Sequence, residues 1–431
     1  MPRLSLETSS APDGLQPHFF EGNIREPRLV AQLLTAVHLL VGSRFHTPPN
    51  TVARAIALAD PVVTSGGGML RFEGFSSCCS TYLRVDLLPA AYDGTTLGKG
   101  TTNVDFNAPM RAALARVNDD AGLQLAVGHD AVRLRSAGTE VVERKVALPT
   151  RWLRGMVEVQ SYQARMRPCF SATSVEVQRL LRTLPKAATS RTPLWISRGA
   201  RGLVGSTRPS EGAVRLSGAS RLRVLEPLLP RAQALHVHAD PMQQASTWLL
   251  DFGVARASLV ISSETWRGFS GEGQALASLM RAAVGGGAVL ARVRAALHWQ
   301  SAIDPEALAT ELGTDAASVL DALRILGASG LVGFDVGAQR YFHRVLPFDL
   351  STMEDLHPRL ADARRLLDAD AVAVVSPLPF EASVGSGGAV HRVREVDGEL
   401  HCTCPWFARH QGRRGPCKHV LAASAARAAT H

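Results

Sequence analysis

Near its C-terminus the chain reads HCTCPWFARHQGRRGPCKHVLAAS, which puts Cys402, Cys404, Cys417 and His419 in the spacing C-x-C-x12-C-x-H. Three thiols and one imidazole are the donor set of a closed, tetrahedral structural Zn²⁺ site with no position left open for a substrate. The flanking residues suit that duty. VHRVREVDGELHCTC alternates apolar and polar residues around Asp397-Gly398, which predicts a β-hairpin whose second strand carries the first two cysteines. Residues i and i+2 of a strand share a face, so Cys402 and Cys404 can turn to one ion. Pro416 then precedes the Ala-rich CKHVLAASAARAA, which predicts a helix. Within a helix i and i+2 point apart, so Cys417 is expected just before the helix and His419 in its first turn.

These residues, with the flanks CTCPW and CKHVLAA, resemble the SWIM zinc finger over roughly residues 380–425, with all four ligand positions matched. That finger is known from SWI/SNF-class helicases, Mutator-class transposases and stand-alone bacterial proteins. The resemblance implies one structural Zn²⁺ and a binding module for DNA or protein. Taken whole, the chain resembles the stand-alone bacterial SWIM proteins. That in turn implies partnership with MoxR-type AAA ATPases and von Willebrand A domain proteins.

The chain has 431 residues and 46% hydrophobic content, enough for several ordinary cores. MPRLSLETSS lacks a basic region followed by an apolar run, and VAQLLTAVHLLVG is too short to span a bilayer, so a cytoplasmic location is expected. Six cysteines in such a length, three of them in metal spacing, fit a reducing compartment. Cys78, Cys79 and Cys169 read as buried small hydrophobes, with a redox or ligand role for the Cys78-Cys79 pair as the alternative.

The fold class expected is α+β and multidomain. Residues 1–148 form an N-terminal α+β domain, with a helix at EPRLVAQLLTAVHLLVG, strands at GGGMLRFEGF and STYLRVDLL, the loop DGTTLGKGTTNVDFNAP, the helix MRAALARV and a closing strand pair. In that loop Asn103, Asp105 and Asn107 are a candidate polar site, although turn chemistry explains them equally. Residues 149–285 form a middle Arg-rich α/β domain, with strands near RLRVLE, ALHVHAD, TWLLDFG and ASLVISS. Residues 288–348 resemble a winged helix: Asp304 caps DPEALATELG with Pro305 at N1 and Gly313 as stop, Thr314 caps the next helix and Gly327 stops it, and LVGFDVGAQRYFHRVLPF makes a hairpin. Its would-be recognition helix carries Asp315, Asp321 and only Arg324, an acidic face that phosphate repels, so a structural or protein-binding wing is expected. An acidic linker leads to the zinc finger domain, 371–431, a β-hairpin plus helix.

Charge is concentrated. From Arg144 to Arg208 there are thirteen Arg or Lys and two acids, a local balance of +11 in a chain of net +9. The rest of the chain therefore sits at −2. Trp152, Tyr162, Phe170 and Trp195 run through this stretch, and clustered Arg with interleaved rings suits phosphate contact plus base stacking. Arg151, Arg154, Arg165 and Arg167 here, with Arg409, Arg413, Arg414 and Lys418 in the finger, are the candidate contacts for nucleic acid, single strands favoured, or for a partner protein. The leading reading is a non-catalytic zinc-binding adaptor. The alternative is a metal-dependent hydrolase using His236, His238 and Asp240, whose i, i+2 histidines on a strand can face one ion.

Overall fold

A computed structural model describes residues 18–45, 61–95, 98–104, 106–120, 122–146, 148–185, 192–266, 268–271, 273–283, 287–346 and 357–429. The chain divides into two compact units. The first joins Met1–Ser270 with His298–Ile303 and Phe334–Pro347, and the second joins Gly271–Leu297, Asp304–Gly333 and Phe348–His431. The architecture is mixed α+β, as the sequence pattern implies.

The first unit is built on an eight-stranded antiparallel sheet. From edge to edge its strands are Arg167–Ala172, Ala234–Ala239, Ala245–Asp251, Ala255–Ser262, Thr81–Leu87, Met69–Phe75, Val62–Gly66 and Gly100–Asn103. Alternation in MLRFEGF and TYLRVDL sends Leu70, Phe72, Leu83 and Val85 to one face and Arg71, Glu73, Tyr82, Arg84 and Asp86 to the other. An alternating antiparallel sheet ordinarily leaves its polar face to water. Here both strands are buried on both faces.

What covers the polar face is the segment 334–344. Asp335 lies 3.1 Å from Arg84 and 3.4 Å from Arg71, while Asp86 lies 3.0 and 3.2 Å from the same two arginines. Phe342 lies beneath Arg71, 3.9 Å from ring centroid to guanidinium. Arg344 pairs with Glu73, which also accepts from the Tyr82 hydroxyl. Burial alone would raise the Glu73 and Asp335 carboxyls, but the arginines, with Tyr82 on Glu73, hold both below the ordinary carboxylate range. Arg71, Arg84 and Arg344 thus close against Asp86, Asp335 and Glu73.

Three elements depart from the sequence reading. RLRVLE is no strand but part of a 3-10 helix, Ala219–Arg231, whose Leu222, Leu225 and Leu228 recur every third residue on the buried side and whose Pro227 and Pro230 bar a strand. The helix expected to be capped by Thr314 and stopped at Gly327 spans Ala316–Ala328. Asp315 caps it, accepting from the Ser318 amide at 2.8 Å, and the chain turns at Gly330. Part of DGTTLGKGTTN is paired strand, Tyr92–Thr95 and Gly100–Asn103, rather than open loop. Asn107 caps the helix Ala108–Arg116 and Asn103 donates to the Val146 carbonyl, so both serve local structure; Asp105 lies outside the described residues.

The second unit holds the helices Leu276–Ala283, Gly287–Ala295, Pro305–Leu312, Ala316–Ala328 and Pro358–Asp368, then the four-stranded sheet of the C-terminal module. Asp304 and Gly313 bound Pro305–Leu312 as their chemistry predicts. Two further strands, Val372–Pro377 and Phe380–Ser386, extend the anticipated hairpin of Ala389–Val396 and Glu399–Cys402.

The buried ion pairs yield a stability prediction. Arg344→Leu strands the Glu73 carboxylate away from water and should cost about 3–5 kcal/mol in urea unfolding of the full chain; a loss under about 1 kcal/mol would show that the pair is dispensable. Because both carboxyls are depressed, their contribution is present above the ordinary carboxylate range and lost as pH falls through the folded values. Acid should therefore erode the parent's advantage over the variant.

Candidate metal centre

Each of the four donors is positioned by a local element. Cys402 ends the strand Glu399–Cys402. Cys404, expected to share that strand, instead caps the short helix Pro405–His410: its Sγ accepts the Phe407 amide at 3.3 Å and Pro405 occupies the first turn. Pro405 cannot donate to the strand ladder, and the strand ends at Cys402, short of the Cys404 that alternation implied. Cys417 immediately precedes the helix Lys418–Ala429 and accepts the Val420 amide at 3.5 Å, while His419 lies in its first turn. The Cys404 amide points to Cys402 Sγ at 3.4 Å. Every sulfur thus accepts a backbone N–H, and such bonds favour the thiolate form.

The donor atoms of these four buried residues lie within 4.8 Å of one another. His419 Nδ1 is 3.8 Å from Cys402 Sγ and 4.0 Å from Cys417 Sγ. A tetrahedral Zn²⁺ with ordinary bond lengths needs donor separations of about 3.5–3.8 Å. The set fits one zinc ion. Taken alone, three such thiols cannot all ionise. Hydrogen bonding to Cys417 and then burial push the Cys402 thiol up, and burial pushes Cys404 up, whereas hydrogen bonding from Cys402 brings Cys417 down to about 4. A divalent cation reverses that balance.

The donors form one core with Phe380, Ala382, Val384, Val393, Phe407, Val420 and Ala423, with Trp406 packed against it. The loop between the two ligand pairs is held by its backbone. Arg359, in the helix Pro358–Asp368, donates to the carbonyls of Arg414 at 2.7 Å and Pro416 at 2.9 Å, and its guanidinium lies 4.9 Å from the Trp406 ring centroid. Gln274 donates to the carbonyls of Gly412 and Arg413. Gly415 has φ +74°, and a Cβ there would fall 1.9 Å from the Gly273 carbonyl, so no side chain fits. Nothing local marks Arg359 in a stretch that reads as an acidic linker. Its role appears only in three dimensions.

The basic candidates separate on inspection. Arg409 and Arg413 are exposed, Arg414 is half-buried and reaches toward the Gly271 carbonyl, and Lys418 stands 4.0 Å from Asp362. In the Arg-rich stretch Arg167 is exposed, Arg165 pairs with Asp240 at 3.2 Å, and Arg151 and Arg154 are half-buried on the helix Thr150–Gln163. Trp152 and Tyr162 are core residues, packed near Phe75 and Phe269, and are unavailable for stacking. Phe170 and Trp195 are half-exposed. The interleaved aromatics that looked like a stacking platform are thus in part the hydrophobic seam of an amphipathic helix.

His236 and His238 share a face of the strand Ala234–Ala239, but Asp240 does not join them. It is buried, paired with Arg165, and accepts the Met242 and Gln244 amides as a turn residue. Among the described residues, no group of three or more His, Cys, Asp or Glu side chains converges as the four finger donors do.

Residues 391–428 match the SWIM zinc finger family. No curated protein matches the chain. Among solved structures the chain is similar to the Proliferating Cellular Nuclear Antigen from Entamoeba histolytica, at 11% identity over 57% of this chain and 98% of that one, with a TM-score of 0.38. It is also similar to the PCNA2-PCNA3 complex from Sulfolobus tokodaii, at 7% identity, 57% and 99% coverage and a TM-score of 0.41. A third is A. fulgidus PCNA with the C-terminal region of FEN-1, at 10% identity, 56% and 97% coverage and a TM-score of 0.37. No described helix is long and apolar enough to cross a membrane.

Zinc affinity should fall as pH is lowered, because the cation must displace the protons that Cys402 and Cys404 retain. Competition with a chromogenic chelator between pH 8 and 6 should show a loss of roughly tenfold or more per unit; a pH-independent affinity would exclude thiolate ligation. Cys417→Ser should abolish hydrogen-exchange protection across 372–429 while leaving the eight-stranded sheet protected.

Proposed function

We propose that the protein is a non-catalytic, zinc-stabilised adaptor whose finger and Arg-rich segment bind nucleic acid, a partner protein or both. The observation that carries this reading is the closed donor set: four buried ligands account for every tetrahedral position, which suits holding a module together and offers nothing to a substrate. The exposed arginines give that module something to present. Residues 401–431 contain five Arg or Lys and no acid, and Arg409 and Arg413 stand exposed around the metal-bound core. A MoxR-type ATPase or a von Willebrand A domain protein is the partner class that the family resemblance favours. A location in the cytoplasm accords with thiol ligation, which a reducing compartment preserves.

With Trp152 and Tyr162 in the core, contact with nucleic acid would rest chiefly on charge, and the preference for single strands rests on Phe170 and Trp195 alone. The hydrolase alternative gains no support from Asp240, which is committed to Arg165 and two amides.

Titration of matched single- and double-stranded oligonucleotides across a salt series tests the reading. Arg409→Ala with Arg413→Ala should weaken binding a few-fold and reduce the salt slope by about 1–2 without releasing zinc. Neutralising Arg165 and Arg167 should cost more, because their segment holds the larger positive excess. Absence of binding at low salt to either oligonucleotide would remove nucleic acid and leave a protein partner.

A further inference from the structure

At the edge of the eight-stranded sheet, on the same face as the buried ion pairs, lies a cavity of about 370 Å³ lined by Ser171, His236, His238, Asp251, Arg256 and Gly337 among others. Strand register explains the grouping. Ser171 stands opposite His236, Asp251 opposite Arg256, and Leu249 lies between the two pairs. Neighbouring charges are internally matched: Arg71 and Arg84 are taken up by Asp86 and Asp335, and Arg344 by Glu73. Arg256 stands opposite both Asp86 and Asp251 and lends its charge to Asp335, and Arg256 and Asp251 are the charged residues that line the cavity. Among the described residues neither makes an ion pair within 4.0 Å, although they are cross-strand neighbours; the Asp251 carboxylate accepts the Gly253 amide at 2.8 Å.

Two further features belong to a site rather than a crevice. His238 is only 7% exposed, yet its Nδ1 has no hydrogen-bond partner, and an orphaned buried polar group is costly unless something completes it. Burial and then the nearby His236 push the His238 imidazole down to about 4, so it is neutral at pH 7 and can donate from one nitrogen. His236 Nδ1 is tied to Ser171 Oγ at 2.8 Å, which fixes its ring. Gly337 keeps the wall open: a Cβ there would lie 2.9 Å from Leu249 Cδ1 and 3.3 Å from Arg256 Nη1.

We propose that this cavity binds a hydroxylated phosphomonoester, with Arg256 and the Nε2–H of His236 on the phosphate, Ser171 holding the His236 ring through Nδ1, and Asp251 on a sugar hydroxyl. A guanidinium beside an imidazole N–H suits a phosphate dianion. A carboxylate set beside that guanidinium, but not bridged to it, excludes plain anions in favour of those that bring a hydroxyl donor. The cavity is large enough for a sugar phosphate. The same chemistry occurs in a free sugar phosphate and at the phosphorylated 5′ end of a nucleic-acid strand. The site is independent of the finger and stands whether or not the adaptor reading does.

Calorimetric titration of the full-length, zinc-loaded protein decides it, with ribose 5-phosphate, inorganic phosphate and a short oligonucleotide with and without a 5′ phosphate as probes. Saturable binding of ribose 5-phosphate is expected, weakened at least tenfold in Arg256→Gln and in Gly337→Val. Asp251→Asn should weaken ribose 5-phosphate while inorganic phosphate, relieved of the carboxylate's repulsion, binds more tightly. A 5′-phosphate preference of the oligonucleotide that disappears in Arg256→Gln would place the natural ligand at a strand end, and its absence would assign a free sugar phosphate. Ser171→Ala, at an exposed edge position, gives a second reading if the Arg256 variant misfolds, with a several-fold loss expected. No saturable binding of ribose 5-phosphate by the parent, or unchanged affinity in folded Arg256→Gln and Ser171→Ala chains, would overturn the proposal.

Discussion

Three sulfurs held within 4.8 Å of one another cannot all carry charge unless a cation lies among them. The C-terminal module depends on that constraint. Its apolar core is small, and Cys402, Cys404 and Cys417 are themselves part of it. Amides of Cys404, Phe407 and Val420 face the sulfurs, so the backbone is already set for thiolates. Folding and metal capture are thereby one event for this segment: a structural zinc can contribute on the order of 10–16 kcal/mol of apparent binding energy where a core this size supplies little.

In the first unit the equivalent constraint is electrostatic. A sheet whose polar face is buried must neutralise each charge locally, because an unpaired one would cost several kcal/mol. Asp335 and Arg344 do this from more than 240 residues away in sequence, matched to Arg71, Arg84 and Glu73. Such pairing fixes which segment can cover the face. An apolar cover of the same shape would strand the Glu73 carboxylate and leave Arg71 and Arg84 with Asp86 alone between them.

Much of this was legible in the sequence, and where legibility failed the cause is identifiable. The four zinc donors were readable because metal ligation constrains spacing and residue type together. The helix cap at Asp304 and the stop at Gly313 were readable because both act within one turn. Trp152 and Tyr162 misled because a ring beside an arginine looks alike whether it stacks on a base or lines a core; only the partner across the fold, Phe75 or Phe269, decides it. Cys404 misled because strand alternation says nothing of where a proline ends the strand. The cover over the polar sheet face, and Arg359 beneath the zinc loop, were invisible because each is a pairing between residues remote in the chain.

The grip on the zinc loop is directed at carbonyl oxygens. Arg359 and Gln274 hold the main chain of residues 412–416, and Gly415 is fixed by the nearness of another backbone. None of these restraints reads the identity of the side chain at 409. The loop's shape and its outward chemistry at 409 are therefore separable: that exposed position can be cationic, neutral or acidic while metal, core and backbone stay as they are. A module of this build is an interchangeable face on a fixed mount, open to retuning for new ligands at little structural cost.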